Sequence, residues 1–174
     1  MPDLRWNRKF WSQPQEWYDA GEGWSAPWGN SEAQWFGSLY PRLHRFLPTR
    51  SILEIAPGFG RWTHFLLPLC EHYTGIDLSP VCIAACQNTF SDDNNAKFIQ
   101  NDGMSLAEVP DTSVDLAFSF DSLVHAEFDV LASYIPQLIR KLTVSGVAFL
   151  QPFEPSCSQQ LVLGGLPSGV SLCR

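Results

Sequence analysis

Basic residues are scarce in this chain. Of 174 residues only 11 are Lys or Arg, against 18 Asp or Glu, which gives a formal net charge of −7 and a pI near 4.9. No Lys/Arg cluster is visible, whereas a protein that grips phosphate backbones carries one, so nucleic acid is argued against as substrate or partner. Long apolar runs are also missing. None approaches the roughly 18 residues of a membrane helix, and the opening MPDLRWNRKFW lacks the apolar centre of a signal peptide. A cytoplasmic protein without membrane association is the expectation. Cysteine is limited to Cys70, Cys82, Cys86, Cys157 and Cys173. An odd count with no secretion signal fits a reducing compartment. Cys82 and Cys86 lie four apart on one face of a predicted helix, but no second Cys or His pair with ligand spacing accompanies them. Two buried thiols and no metal are expected.

What is present describes a globular chain, with 45% hydrophobic and 17% charged residues. Its length suits one domain with a substantial core. Three parts differ in character. Residues 1–50 carry six of the seven tryptophans, interleaved with Gly and Pro as in DAGEGWSAPWGN, which reads as irregular loop. The stretch SEAQWFGSLYPRLHRFLP then opens on a capping-box pattern, Ser31 with Gln34. Trp35, Leu39, Leu43 and Phe46 follow at helical spacing, with Pro41 expected to kink or divide the helix. Residues 51–150 alternate apolar strand candidates (SILEIA, HYTGID, AKFIQN, VDLAFSF, GVAFLQ) with helical stretches (RWTHFLLPLC, SPVCIAACQNTF, FDVLASYIPQLIRKL). Pro136 is expected to kink the last helix. That alternation predicts an α/β fold, a Rossmann-like doubly wound sheet that is mostly parallel and covered on both faces. Residues 151–174 carry no charge between Glu154 and Arg174 and only weak periodicity.

The stretch ILEIAPGFG, residues 52–60, runs a strand into a glycine turn. Ligands of open parallel sheets bind outside the carboxyl ends of the strands, so a ligand is expected here. The dinucleotide pattern G-x-G-x-x-G fails, because Thr63 and Ala56 stand where its glycines would be. A phosphate loop needs Gly-Lys-Ser/Thr, and Arg61-Trp62 follow instead. A nicotinamide oxidoreductase is thereby left remote. Glu54, inside the strand, would repel a pyrophosphate and suits an ammonium or sulfonium ligand.

E-x-A-P-G-x-G resembles the first motif of class I S-adenosylmethionine-dependent methyltransferases, with Ala56 at the first glycine. Further stations agree in order. YTGIDLSP puts Asp77, followed by Leu78, where that family's acid binds both ribose hydroxyls, a charge-assisted contact. FIQNDGMSL puts Asp102, Gly103 and Met104 where the family meets the adenine, with Asp102 accepting from the amino group and Met104 packing on the ring. VDLAFSFDSLVHAE resembles the fourth-strand motif, whose end, here Ser119 and Phe120, lies beside the transferring methyl. The resemblance spans roughly residues 30–150. It implies S-adenosylmethionine as cofactor, with Glu54, Ala56, Pro57, Gly58 and Gly60 completing the binding set. It also implies methyl transfer to a small-molecule acceptor. The overall likeness is to bacterial sugar and surface-polysaccharide methyltransferases, which implies O-methylation of a small hydroxylated acceptor.

Two candidates for the chemistry follow the fourth strand, Asp121 and His125, four residues apart and able to share one face of a helical turn. His125 is the better general base because the imidazole pKa lies near neutrality. Each also has a plain structural alternative, Asp121 as a helix cap and His125 as packing beneath it. A divalent metal on Asp121 and Glu127 is a minority option, lacking a third ligand. Trp24, Trp28 and Trp35 are candidates to line a pocket, while anchoring of the arm explains most of the tryptophans.

The family continues past its fifth strand with a helix and an antiparallel pair, for which residues 151–174 show no clear pattern. A sheet lacking its usual last strands is expected. It would leave the fifth strand as an open edge, covered by a homodimer or by the tail as a makeshift strand. A catalytically inactive donor-binding remnant is the alternative function.

Overall fold

In a computed structural model the described residues are 3–151, 160–164 and 170–173, the last two segments as backbone. Strands β1 (Thr49–Ile55), β2 (Cys70–Asp77), β3 (Ala96–Gln100), β4 (Val114–Ser119) and β5 (Leu142–Leu150) pair in parallel in the order β3-β2-β1-β4-β5. The order reverses between β1 and β4. A crevice opens there at the carboxyl ends of the strands, the usual ligand position in such sheets.

The sheet does not stop at β5. Residues Gln160–Gly164 (β6) pair antiparallel with β5, and Val170–Cys173 (β7) pair antiparallel with β6, for a seven-stranded sheet. The expected shortfall after the fifth strand is thus corrected, and the tail forms strands within the chain. Its sequence carries the reason: two short apolar stretches, LVL and VSL, flank a segment rich in Gly and Pro. The edge that motivated a homodimer is paired internally. Cys157 and the side chain of Cys173 lie outside the described residues.

Strand alternation divides the core into two layers. Ile52 of β1, Tyr73, Leu116, Phe118, Val147 and Phe149 face one side, with Trp35, Leu39, Leu43, Trp62 and Leu66 packed on them. Phe118 and Phe149 stack at 5.7 Å across adjacent strands. Leu53, Ile55, Ile76, Ala117, Ala148 and Leu150 face the other side, covered by Val130, Tyr134 and Leu138 of the helix Phe128–Lys141.

Six α-helices lie among the described residues: α1 (Leu4–Trp11), α2 (Ser31–Gln34), α3 (Tyr40–Leu43), α4 (Thr63–Leu66), α5 (Pro80–Thr89) and α6 (Phe128–Lys141). The cap of α2 is Asn30, one residue before the expected Ser31; its Oδ1 accepts the Ala33 N–H at 2.7 Å. Between α2 and α3 the chain widens into a π-turn, Trp35–Leu39, closed by the Tyr40 N–H on the Trp35 carbonyl. Pro41 has no N–H to give, and the wider turn absorbs that loss without breaking the helical path. Trp35, Leu39 and Leu43 all stay buried. Helix α6 continues through Pro136. Residues Pro14–Trp28 form an irregular strap of 3-10 turns, interrupted by three successive left-handed residues, Asp19, Ala20 and Gly21. No helix among the described residues is long and apolar enough to cross a membrane.

Ending the chain at Gln151 would remove β6 and β7 and expose the hydrogen-bonding edge of β5. The shortened protein is expected to self-associate at micromolar concentration in size-exclusion chromatography, where the full chain does not. A monodisperse shortened monomer would overturn this role for the tail.

Candidate active site

The crevice at the β1/β4 reversal is a cleft with about 830 Å³ of empty space, the open solvent at its mouth included. Its floor is the glycine turn, where Ala56, Gly58 and Gly60 all have left-handed backbone, at φ +57°, +61° and +89°. Gly58 offers its N–H to Asp77 Oδ2 at 3.2 Å, and Ser79 offers its own to Oδ1 at 2.8 Å. The Asp77 carboxylate thereby ties the end of β2 to the turn after β1 while lining the cleft. Burial pushes its pKa up to about 6, against the stabilising backbone N–H groups of Ser79, Gly58 and Leu78. The Cys86 thiol of α5 donates to the Gly58 carbonyl at 3.2 Å. Burial pushes the thiols of Cys82 and Cys86 well up, so they remain protonated packing groups, in keeping with the structural role expected of them.

Above the turn sits the strap. The Trp17 indole lies so close to Gly58 that a Cβ there would come within 2.4 Å of the ring. Trp17 stacks on Phe59 (4.8 Å, 9°) and meets Trp11 and Trp24 at 5.4 and 5.2 Å. Its Nε1–H donates to the Trp11 carbonyl at 3.0 Å. That carbonyl also accepts from the Ser79 hydroxyl at 3.1 Å, which fastens α1 to the end of β2. Trp11, Trp17 and Trp24 all line the cleft.

The far wall follows β4. Asp121 has left-handed backbone (φ +61°), a conformation Asp tolerates better than most residues. Its Oδ2 takes a 2.7 Å salt bridge from Arg61, whose side chain is only 7% exposed. Ser122 Oγ donates to the Ala56 carbonyl at 2.7 Å, linking this loop to the glycine turn. His125 ends a 3-10 turn (Leu123–His125), with its ring 5.1 Å from Trp11. The Asn7 amide donates to the His125 carbonyl at 3.0 Å. Burial lowers the His125 pKa, partly opposed by the Asp121 charge. Its neutral form therefore predominates at neutral pH.

A profile of the family described as "Methyltransferase domain" matches residues 52–146, more than half of the chain. The chain belongs to the methyltransferase-domain family. Its class I fold is shared by a protein from Pyrococcus horikoshii OT3, PH0226 (27% identity, TM-score 0.57, 66% of this chain and 54% of that one). It is shared also by phosphoethanolamine N-methyltransferase 1 of Haemonchus contortus, solved with phosphoethanolamine and S-adenosylhomocysteine (21%, TM-score 0.63, 86% and 31%). A third likeness is to DhpI in its complex with SAH (23%, TM-score 0.61, 85% and 66%). The chain spans about half the length of the first of these and a third of the second. A comparison with curated proteins found no match.

The methyltransferase domain brings most of the residues singled out from sequence to one place, and moves some away. Ala56, Pro57, Gly58, Asp77, Leu78, Gly103, Phe120, Asp121 and His125 line the cleft. Glu54 does not. It lies on the Ile52 face of β1, away from the cleft, and its Oε2 accepts from Thr63 Oγ1 (2.9 Å) and from the Tyr73 hydroxyl. The expected attraction to a sulfonium is corrected to a structural role: Glu54 pins α4 and β2 beneath the turn. Gly60 also turns away from the cleft, since a Cβ there would meet Phe90, the C-cap of α5, at 2.6 Å. Asp102 is exposed and its Oδ1 accepts the backbone N–H groups of Met104 and Ser105 (2.8 and 2.7 Å), while Asn101 beside it lines the cleft. Met104 packs on the α6 side, and Ser119 is fully buried below the floor. Asp121 meets Arg61, and no hydrogen bond to His125 is found among the described residues. Of the tryptophans proposed as pocket lining, Trp24 lines the cleft, Trp28 is half-exposed, and Trp35 is in the core, stacked on Phe65. Sequence reasoning missed Asn7, Trp11, Trp17, Arg61, Trp62 and Tyr134. Arg61 and Trp62 had a usable signal in their position directly after the turn.

Two outcomes follow. Ala56 occupies backbone that costs an L-residue about 1 kcal/mol or more, so Ala56→Gly is expected to raise stability by about 1 kcal/mol in urea unfolding. No gain would mean that the Ala56 methyl contributes compensating packing. Burial pushes Glu54 up to about 7 from an ordinary 4.5, against hydrogen bonds from Tyr73 and Thr63. Its folded pKa is the higher, so the contribution is intact below 4.5 and is lost as pH rises to about 7. Relative to the parent, Glu54→Gln should gain stability between pH 5 and 8, on the order of 3 kcal/mol at most. A pH-independent difference in Tm would contradict this.

Proposed function

We propose that this chain is an S-adenosylmethionine-dependent methyltransferase that O-methylates a small hydroxylated acceptor, with sugars the first class to try. One observation carries it: a buried carboxylate, Asp77, faces a cleft at the sheet's switch point, directly beside a left-handed glycine turn. The residues present fit the donor. Asp77 has only backbone N–H partners among the described residues and retains acceptor capacity for a ribose diol. Ile76, Leu78 and Gly103 offer an apolar slot suited to a purine. Solved relatives carrying S-adenosylhomocysteine support the same assignment.

When bound, the donor supplies an already activated methyl group, so the protein's work is alignment and removal of the acceptor's proton. His125 is the base of this proposal: uncharged at neutral pH, at the cleft, and held through its backbone by Asn7. Asp121 contributes by holding Arg61 and by favouring the imidazolium that forms as the proton arrives. The indoles of Trp11, Trp17 and Trp24 exclude water and present faces on which a sugar ring stacks. β6 and β7 supply strands whose expected absence was the ground for an inactive remnant.

Calorimetric titration is expected to show S-adenosylhomocysteine binding below millimolar concentration. His125→Ala should keep that binding within a few-fold and lower turnover on a hydroxylated acceptor by on the order of 100-fold or more. Absence of binding would sink the donor assignment, and undiminished turnover in the variant would remove His125 from the chemistry.

A further inference from the structure

Arg61 is not explained by donor binding or by proton transfer. Among the described residues it is the only Lys or Arg along the cleft, in a chain with net charge −7. Its guanidinium lies 4.5 Å from the Trp62 ring centre and 5.5 Å from that of Trp24, a cation–π contact with each. Of its five N–H groups, two are used among the described residues: one Nη1–H on the buried Ser25 hydroxyl (2.9 Å) and one Nη2–H on Asp121 (2.7 Å). Beside it, Trp62 also lines the cleft; it is 97% buried, being 3% exposed, and its Nε1–H has no partner among the described residues. A buried N–H without an acceptor is destabilising, and a ligand oxygen would relieve it. This wall therefore holds more desolvated donors than acceptors among the described residues, around a buried positive charge.

The geometry points to an oxyanion subsite: Arg61 and the Trp62 indole N–H recognise a carboxylate or phosphoryl group on the acceptor, in the cleft that His125 also lines. The acceptor class sharpens to hydroxylated compounds that also carry an oxyanion, a deepening that rests on the methyl-transfer reading of the cleft. Guanidinium binds such groups through paired N–H donors, and a dry aromatic surround strengthens the contact. Asp121 is the internal counter-charge with which the ligand competes. A clamp that merely joined the strap to the β4 loop would need Ser25 and Asp121 alone.

The test is calorimetric titration with inorganic phosphate, glycerol 3-phosphate, glycerate and glycerol, each with and without S-adenosylhomocysteine. The phosphorylated and carboxylated probes are expected to bind at least tenfold more tightly than glycerol, and their ranking identifies the oxyanion. Arg61→Gln should abolish that preference. Trp62→Phe, which keeps a ring and deletes the N–H, should weaken anion binding several-fold. Asp121→Asn should tighten it, because the guanidinium loses its resident partner. A structural clamp predicts the opposite for Asp121→Asn, no anion preference in the parent, and no effect of Trp62→Phe; any of these overturns the subsite. Should Arg61→Gln fail to fold, the Trp62 and Asp121 variants decide. Failure of S-adenosylhomocysteine to bind would count against the donor assignment alone, since the anion titrations are also run without it.

Discussion

The cleft depends on a single backbone constraint. Between β1 and α4 the chain adopts left-handed conformation at residues 56, 58 and 60, alternating with ordinary ones. This tight path places the Gly58 N–H opposite Asp77 and the Gly58 carbonyl opposite Cys86. It also leaves the surface of Gly58 bare, and the Trp17 ring settles on it. Any side chain at Gly58 would collide with the Trp17 ring, and any at Gly60 with the Phe90 ring at the end of α5. Two glycines meet the constraint without strain, while Ala56 does so at a cost.

Two buried carboxylates hold this turn. Glu54 lies below, bonded to Thr63 and Tyr73, and Asp77 lies at the cleft, bonded to Gly58 and Ser79. Both are pushed up by burial, to about 7 and about 6. The groups differ in what surrounds them, and so in what they can do. Glu54 has side-chain donors that consume it internally. Asp77 has only backbone donors among the described residues, on both oxygens, and lines the cleft.

Most of the α/β framework was legible in the sequence because parallel strands buried on both faces read as short apolar runs between helices. Asp77 was legible because a strand-ending acid beside a glycine turn has few other neighbours. Glu54 was misplaced for a reason the sequence also contained. Strand side chains alternate, so Glu54 shares a face with Ile52 and not with Ile55, which lines the cleft. The strap resisted prediction because its path is set by indole contacts and by three left-handed residues, only one of them glycine. No periodicity announces such a segment. Arg61 needed Asp121, 60 positions away, to become interpretable. The tail shows the reverse case: its short apolar triplets around Gly and Pro were a usable hairpin signal, outweighed by the lack of charge and of longer periodicity.

Four of the seven tryptophans, Trp11, Trp17, Trp24 and Trp62, look into one cleft. Indole emission depends on the polarity and stacking around the ring, so the chain carries its own optical gauge of occupancy. A purine or sugar seated among these rings changes their solvation together. Trp35, locked against Phe65 in the core, contributes a background indifferent to ligand. The feature that makes the cleft aromatic also makes its filling visible without a label.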